Sequence, residues 1–231
     1  MNLVKGSFYV FFQTYKKQNI IFWSVLFAIV LFTFFVVLTI VHEAFFMLTL
    51  SVPIYVFFVT MGSKWLTNTF AYFLKFGVTR QQYVGVTGLF FLSWSLVTAL
   101  LSAGLHQGIF FMNRVLELEQ FTIFHPLYFI DPSLAFLFVF LFDFTLLFLC
   151  LLSGLLLNYI FFKFGLIGGY SFIGIMVFIP ILAISLKWYK PIFDALGDLS
   201  ILSLCGVISL FSIVLYGFIA FSLRKLSAVT T

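Results

Sequence analysis

The feature that most constrains this chain is the spacing of its charges, which sit at the ends of long apolar stretches and almost never inside them. Of twelve basic residues, nine fall on one side of the ladder that those stretches make: Lys5, Lys16, Lys17, Lys64, Lys75, Arg80, Lys163, Arg224 and Lys225. Of seven acids, six fall on the other side: Glu43, Glu117, Glu119, Asp131, Asp194 and Asp198. Only Asp143 lies within a stretch. Lys and Arg are held on the cytoplasmic side of a membrane, so the sorting predicts an oriented multi-pass protein with both termini in the cytoplasm. Hydrophobic residues make up 64% of the chain and charged ones 8%, against about 25% charged in a soluble domain. A water-soluble fold is excluded. The 231 residues hold several spans of about 20 residues each but no second globular domain. Phe is abundant at 37 residues and Lys outnumbers Arg, a composition that points to an AT-rich bacterial genome.

The expected fold is all-α: six transmembrane helices, an N-terminal interfacial helix and a cytoplasmic coupling helix in one domain over 1–231. Residues 1–19 carry an apolar stripe at Val4, Phe8, Phe11, Phe12 and Tyr15 with Lys5, Lys16 and Lys17 off it, the pattern of a helix lying on an anionic leaflet. A plain leader before the first span is the alternative. Spans are expected at about 20–41, 44–62, 83–106, 133–161, 165–186 and 200–222. Pro53 should kink the second, since a membrane helix tolerates proline where neighbours satisfy the freed carbonyl. His42-Glu43 marks a short outer turn, 107–132 and 187–199 are outer segments, and Lys163 sits at a tight inner turn. The first apolar stretch is broken by Lys16 and Lys17, which argues against a cleaved signal peptide.

The loop at 63–82 is the most structured polar piece. Residues 66–75 favour a helix with aromatics at Phe70, Tyr72 and Phe73. Gly77 is placed to end it in a left-handed conformation, and Thr79 followed by Gln82 reads as a capping box opening the next helix. A solvated hairpin with Lys75 and Arg80 serving topology alone is equally compatible with that pattern.

The string Phe76-Gly77-Val78-Thr79-Arg80-Gln81-Gln82-Tyr83, between the second and third of six spans, resembles the inner loop of type-2 ABC exporter permeases. The basic amphipathic N-terminal helix, the size and the inward termini are similar too. The resemblance covers the whole chain in topology and only about 73–83 in residues. It implies a coupling helix at 64–76 that seats in a groove of a separate ATPase subunit, with Lys64, Trp65, Phe70, Tyr72 and Phe73 on it. Lys75, Gly77, Thr79 and Arg80 would form its hinge into the third span. The family often carries its largest outer element between the fifth and sixth spans, whereas here 107–132 is longer than 187–199. The chain has no Gly-Lys-Ser/Thr phosphate cradle, so it binds no cofactor itself. ATP and magnesium would belong to the partner ATPase, and a second permease, identical or related, would complete the pathway.

Asp143 is the one acid deep in a span, where a carboxylate costs about 2.5–3.5 kcal/mol on insertion scales. It either lines a pathway or is proton-linked, or it is hydrogen-bonded to neighbouring spans or near enough the outer interface to stay hydrated. Gly104-x-x-x-Gly108 and Gly165-x-x-x-Gly169, the latter followed by Gly174, permit close helix approach. His42, His106 and His125 lie near outer boundaries without a metal-ligand spacing and read as interfacial residues. Cys150 and Cys205 read as buried free thiols. No catalytic set or metal site is visible, and no basic tract with interleaved aromatics suits nucleic acid. The reading is a non-catalytic permease subunit of an ATP-driven exporter of an amphipathic peptide, lipid or drug. The alternatives are a membrane immunity or sensor protein without transport, and a secondary transporter.

Overall fold

The computed structural model describes residues 3–39, 46–118, 121–129, 135–191 and 199–224. His42, Glu43, Glu119, Asp131, Pro132, Asp194, Asp198 and Lys225 of the charge ladder and outer turns lie outside the described residues. The described chain is mostly helical. In order it runs α1 (Leu3–Thr39), β1 (Phe46–Thr49), α2 (Ser51–Gly62), α3 (Trp65–Lys75), α4 (Arg80–Val115), β2 (Phe121–Phe124), a 3-10 turn (Pro126–Phe129), α5 (Phe136–Ser185) and α6 (Ile201–Arg224). Four of these, α1, α4, α5 and α6, are long and apolar enough to cross a membrane. Four such helices mark a multi-pass membrane protein.

Three expectations change. The N-terminal helix and the first span are one helix, because nothing between Gln18 and Ile20 breaks it. Asn19 turns its side-chain amide back onto the Tyr15 carbonyl at 3.0 Å, satisfying itself within the helix. The buried stripe of α1 accordingly runs Ser7, Phe11, Tyr15, Asn19, Leu26, Val30, Thr33 and Val37, while Val4 and Phe12 of the expected stripe are exposed. Where a second span was expected from 44, residues 46–49 form a strand instead, and the helix starts at Ser51. Its length is about 18 Å at 1.5 Å per residue. Pro53 therefore falls in the first turn, where backbone N–H groups have no helical partner, and it kinks nothing. Finally, α4 begins three residues before the expected third span and continues beyond 106 to Val115.

The strands explain part of the expected outer segment. Phe46-Met-Leu-Thr49 and Phe121-Thr-Ile-Phe124 pair in parallel with Phe46 opposite Phe121 and Thr49 opposite Phe124. Aromatic and β-branched residues favour this pleated geometry.

At Gly165 the backbone has φ 67° and ψ −166°, a region open only to glycine. It splits α5 into arms at 136–164 and 166–185, each about 30 Å or longer. Phe161 and Tyr170 stack edge to face at 5.5 Å, too close for residues nine apart on a straight helix, so the break is a sharp fold of the chain.

The chain divides into two compact units. The first comprises 1–57 and 89–144. In it α1 lays Phe8, Phe11 and Phe12 against Phe90 and Trp94, and Phe34 meets Phe121 at 5.2 Å. The second comprises 58–88 and 145–231. Its core holds Trp65, Leu66, Phe70, Tyr83, Leu151 and Leu155. There α2 and α5 cross backbone on backbone. A Cβ on Gly62 would run into the Leu151 carbonyl oxygen, and one on Gly154 would lie 2.8 Å from the Ser63 nitrogen. Small residues are what such a crossing requires.

Candidate functional site

Two constellations stand out, one in each unit. In the first unit, four polar side chains from three segments gather around Asp143. The parallel register sets this up. Because Thr49 pairs with Phe124, the residues that follow, Ser51 and His125, emerge from the same end of the ladder. Ser51 and Tyr55 share one face of α2 at i, i+4 spacing. His106 comes from α4 and Asp143 from α5. Ser51 Oγ lies 3.1 Å from His106 Nε2, the His106 and His125 rings meet edge to face at 4.9 Å, and His125 Nε2 is 3.0 Å from Asp143 Oδ1. Tyr55 donates its hydroxyl to the same oxygen. Asp143 and His125 are both 0% exposed.

The His125 tautomer follows from its partners. His125 precedes Pro126 at the start of the 3-10 turn, and its Nδ1 accepts the Leu127 N–H at 3.1 Å. A nitrogen that accepts carries no hydrogen, so the ring proton sits on Nε2 and is donated to Asp143. In this arrangement the ring has one proton and no charge. The contact is a neutral imidazole bonding a carboxyl group. Asp143 Oδ1 is doubly satisfied, while its Oδ2 is buried and has no hydrogen-bond partner among the described residues. The carboxyl is thus bonded to its neighbours, one of the expected possibilities, and retains one unused oxygen.

This cluster corrects the reading of His106 and His125 as interfacial. Both are buried, because the strand pairing and the turn at Pro126 fold the segment after α4 inward. Tyr55 and Ser51 gave no sequence signal at all, since a lone Ser or Tyr in an apolar stretch is common. Among the described residues no cluster of His, Cys, Asp and Glu could hold a metal ion, and Cys150 and Cys205 are free thiols.

In the second unit, α3 is a short amphipathic helix with both ends defined. Its C-terminus closes in a Schellman arrangement: Gly77 N–H bonds the Leu74 carbonyl at 3.1 Å and Val78 N–H the Phe73 carbonyl at 3.2 Å. Gly77 has φ 77°, the left-handed state that glycine adopts without penalty. The next helix opens with a capping box. Gln82 N–H donates to Thr79 Oγ1 at 3.2 Å and Thr79 N–H to Gln82 Oε1 at 3.0 Å.

The residues expected on a coupling helix separate by face. Trp65, Phe70 and Phe73 are buried. The Trp65 indole N–H bonds Thr87 Oγ1 at 3.3 Å, Thr69 Oγ1 lies 2.7 Å from the Tyr83 hydroxyl, and Phe70 meets Tyr83 at 5.2 Å and Phe162 at 6.1 Å. Lys64, Tyr72, Lys75, Gly77 and Thr79 are exposed, as is Phe76 at 70%. Tyr72 and Phe76 pack together at 4.6 Å. Arg80 turns toward α6, where its Nη1 donates to the Arg224 carbonyl at 3.3 Å and so satisfies a carbonyl at the helix end.

Sequence reasoning missed Asn158. Lys64, at the N-cap of α3, makes no side-chain cap bond. Asn158 of α5 supplies it from a distance: its Oδ1 accepts the N–H groups of Leu66 at 2.7 Å and Thr67 at 3.2 Å, and its Nδ2 donates to Thr67 Oγ1 at 2.9 Å. One polar residue in the run Leu155-Leu-Leu-Asn-Tyr-Ile160 was the available clue, because a buried amide in an apolar helix needs a partner.

The glycines expected to pack helices behave differently from one another. Gly165 forms the fold in α5, and a Cβ on Gly169 would strike the Phe161 ring. Gly104, Gly108 and Gly174 face open space. Comparison with protein-family models, with curated proteins and with solved structures found no match.

Proposed function

We propose that this chain is a permease subunit of an ATP-binding-cassette exporter that moves an amphipathic peptide, lipid or drug across a bacterial cell membrane. On this reading the two arms of α5, the short β1–α2 segment and the three other long helices make six passes, with α3 in the cytoplasm. Two such chains, or this one and a related one, form the pathway. Separate ATPase subunits hold ATP and magnesium. The observation that carries the reading is the build of α3. It is seated by Trp65, Phe70 and Phe73 and presents a small basic and aromatic surface at Lys64, Tyr72, Lys75 and Phe76, with a glycine break on one side. Closure of two ATPases on bound ATP would press on that surface, and a packed interface answers such a push by switching between discrete arrangements.

The test is co-purification of the full chain in detergent with its ATPase, followed by ATP hydrolysis assays in the presence of candidate peptides. Wild type is expected to retain the ATPase, and Lys64→Glu with Lys75→Glu to release it while the chain stays folded. A wild-type chain that recruits no ATPase sinks the proposal and leaves a membrane sensor or immunity protein. The Asp143 cluster favours one further reading, a secondary transporter driven by an ion gradient, because ionisable groups inside a membrane domain commonly mark ion pathways. Transport that stops when the proton gradient is collapsed while ATP persists selects it.

A further inference from the structure

The resemblance puts the working joint of α3 at its C-terminal end, around Gly77. The geometry points to the opposite end. We infer that Asn158 is the positioning residue through which motion of α3 reaches α5, an inference that rests on the permease reading. The two ends of α3 are held differently. At Gly77 the chain passes into α4 through a Schellman turn and a capping box, with nothing within 4 Å of where a Gly77 Cβ would be, and Phe73 packs on the Tyr83 ring of α4 at 5.6 Å. That end is tied to α4. At the other end a single amide makes three hydrogen bonds, two to backbone N–H groups and one to Thr67 Oγ1, in a site where Asn158 and Leu66 are both buried. That end is pinned. A helix of eleven residues is about 16 Å long, and α3 bridges two others: Trp65, Thr69 and Phe73 tie it to α4, and Asn158 pins its N-terminus to α5. A push on its exposed face draws on Asn158. Phe162, one turn further along α5, backs the pin by contact with Phe70. The glycine fold of α5 lies within two turns beyond Asn158, where Lys163 sits over the Tyr159 and Phe164 rings at 5.7 and 4.9 Å.

The amide's role separates from simple packing by choice of variant. Asn158→Leu fills the space without an acceptor, Asn158→Ala empties it, and Asn158→Asp keeps an acceptor for both N–H groups at a helix N-terminus, where a negative charge is favourable. The full chain, co-purified with its ATPase and placed in nanodiscs, is read in two ways. Hydrogen exchange at the Leu66 and Thr67 amides is expected to quicken about tenfold in the Ala and Leu variants, the scale of a lost cap with a buried donor, and to remain slow in the Asp variant. ATP with vanadate is expected to change the maleimide labelling rate of a Gly174→Cys probe on the second arm of α5, in a Cys150→Ser, Cys205→Ser background. That change should vanish in the Ala and Leu variants, with the ATPase still bound, and return in the Asp variant. Unchanged exchange overturns the pin. Faster exchange with an undiminished labelling response overturns the transmission role. Absence of any ATPase on the wild-type chain overturns the permease reading itself, an outcome distinct from one in which wild type and variants respond alike.

Discussion

Around Asp143, Tyr55 and His125 both direct a hydrogen at one oxygen, and the backbone of Leu127 decides which nitrogen of His125 carries it. The chemistry of single atoms therefore dictates how the site responds to substitution. Tyr55→Phe removes one donor from a buried carboxyl and should destabilise the chain by about 1–3 kcal/mol. His125→Ala removes the second donor and the acceptor of the Leu127 N–H, and should destabilise it further. Since both donors act on the same atom, the double variant should depart from additivity by at least about 0.5 kcal/mol. Reversible denaturation in detergent measures all three, and strictly additive losses would show that the donors do not share the carboxyl. At this scale Asp143 was conspicuous in the sequence as the one charge inside an apolar stretch. Its neighbours were not, because Ser51, Tyr55, His106 and His125 reach it only through pairing of strands far apart in the chain.

Among elements, two breaks and one crossing carry the architecture. Gly77 and the Thr79/Gln82 box were legible as letters, since a positive φ and a reciprocal cap each demand particular residue types at fixed offsets. Gly165 was legible as a small residue whose spacing suggested a packing stripe, and the tight turn expected at Lys163 falls beside the fold that the structure has at Gly165. Gly165→Ala puts a side chain into a backbone region that costs of order 1–3 kcal/mol for other residues. The strain is relieved if α5 straightens. Spin labels at positions 156 and 176 should then move toward the 30 Å or so expected of twenty residues of continuous helix, and an unchanged distance would show that packing outweighs the strain. The crossing of α2 on α5 makes a separate claim. Gly62→Leu or Gly154→Leu forces the backbones apart and should destabilise the chain by about 1–3 kcal/mol or more, whereas Gly174→Leu, in open space, should change its melting temperature little. Equal effects at the three sites would refute the close approach. No spacing rule reveals this pair, because the two glycines lie on different segments.

For the whole molecule, the proposed six passes make an accessibility prediction. In a cysteine-free background, a cysteine at Lys75 should label only from the cytoplasmic face and one at Lys187 only from the outer face. Labelling of both from one side would rule out that topology, and with it the charge ladder as a guide to orientation. Membrane residence, the end of α3, and the cap of α4 were determined by the sequence alone. Each depends on local quantities: hydropathy over about twenty residues, the handedness that glycine tolerates, hydrogen bonds between groups three apart. The tertiary structure alone decided that β1 and β2 pair, that the histidines turn inward to Asp143, and that Asn158 caps a helix it is remote from. These depend on which distant segments meet. A buried polar group must find a partner, and one sequence shows that a partner is needed without showing where it comes from.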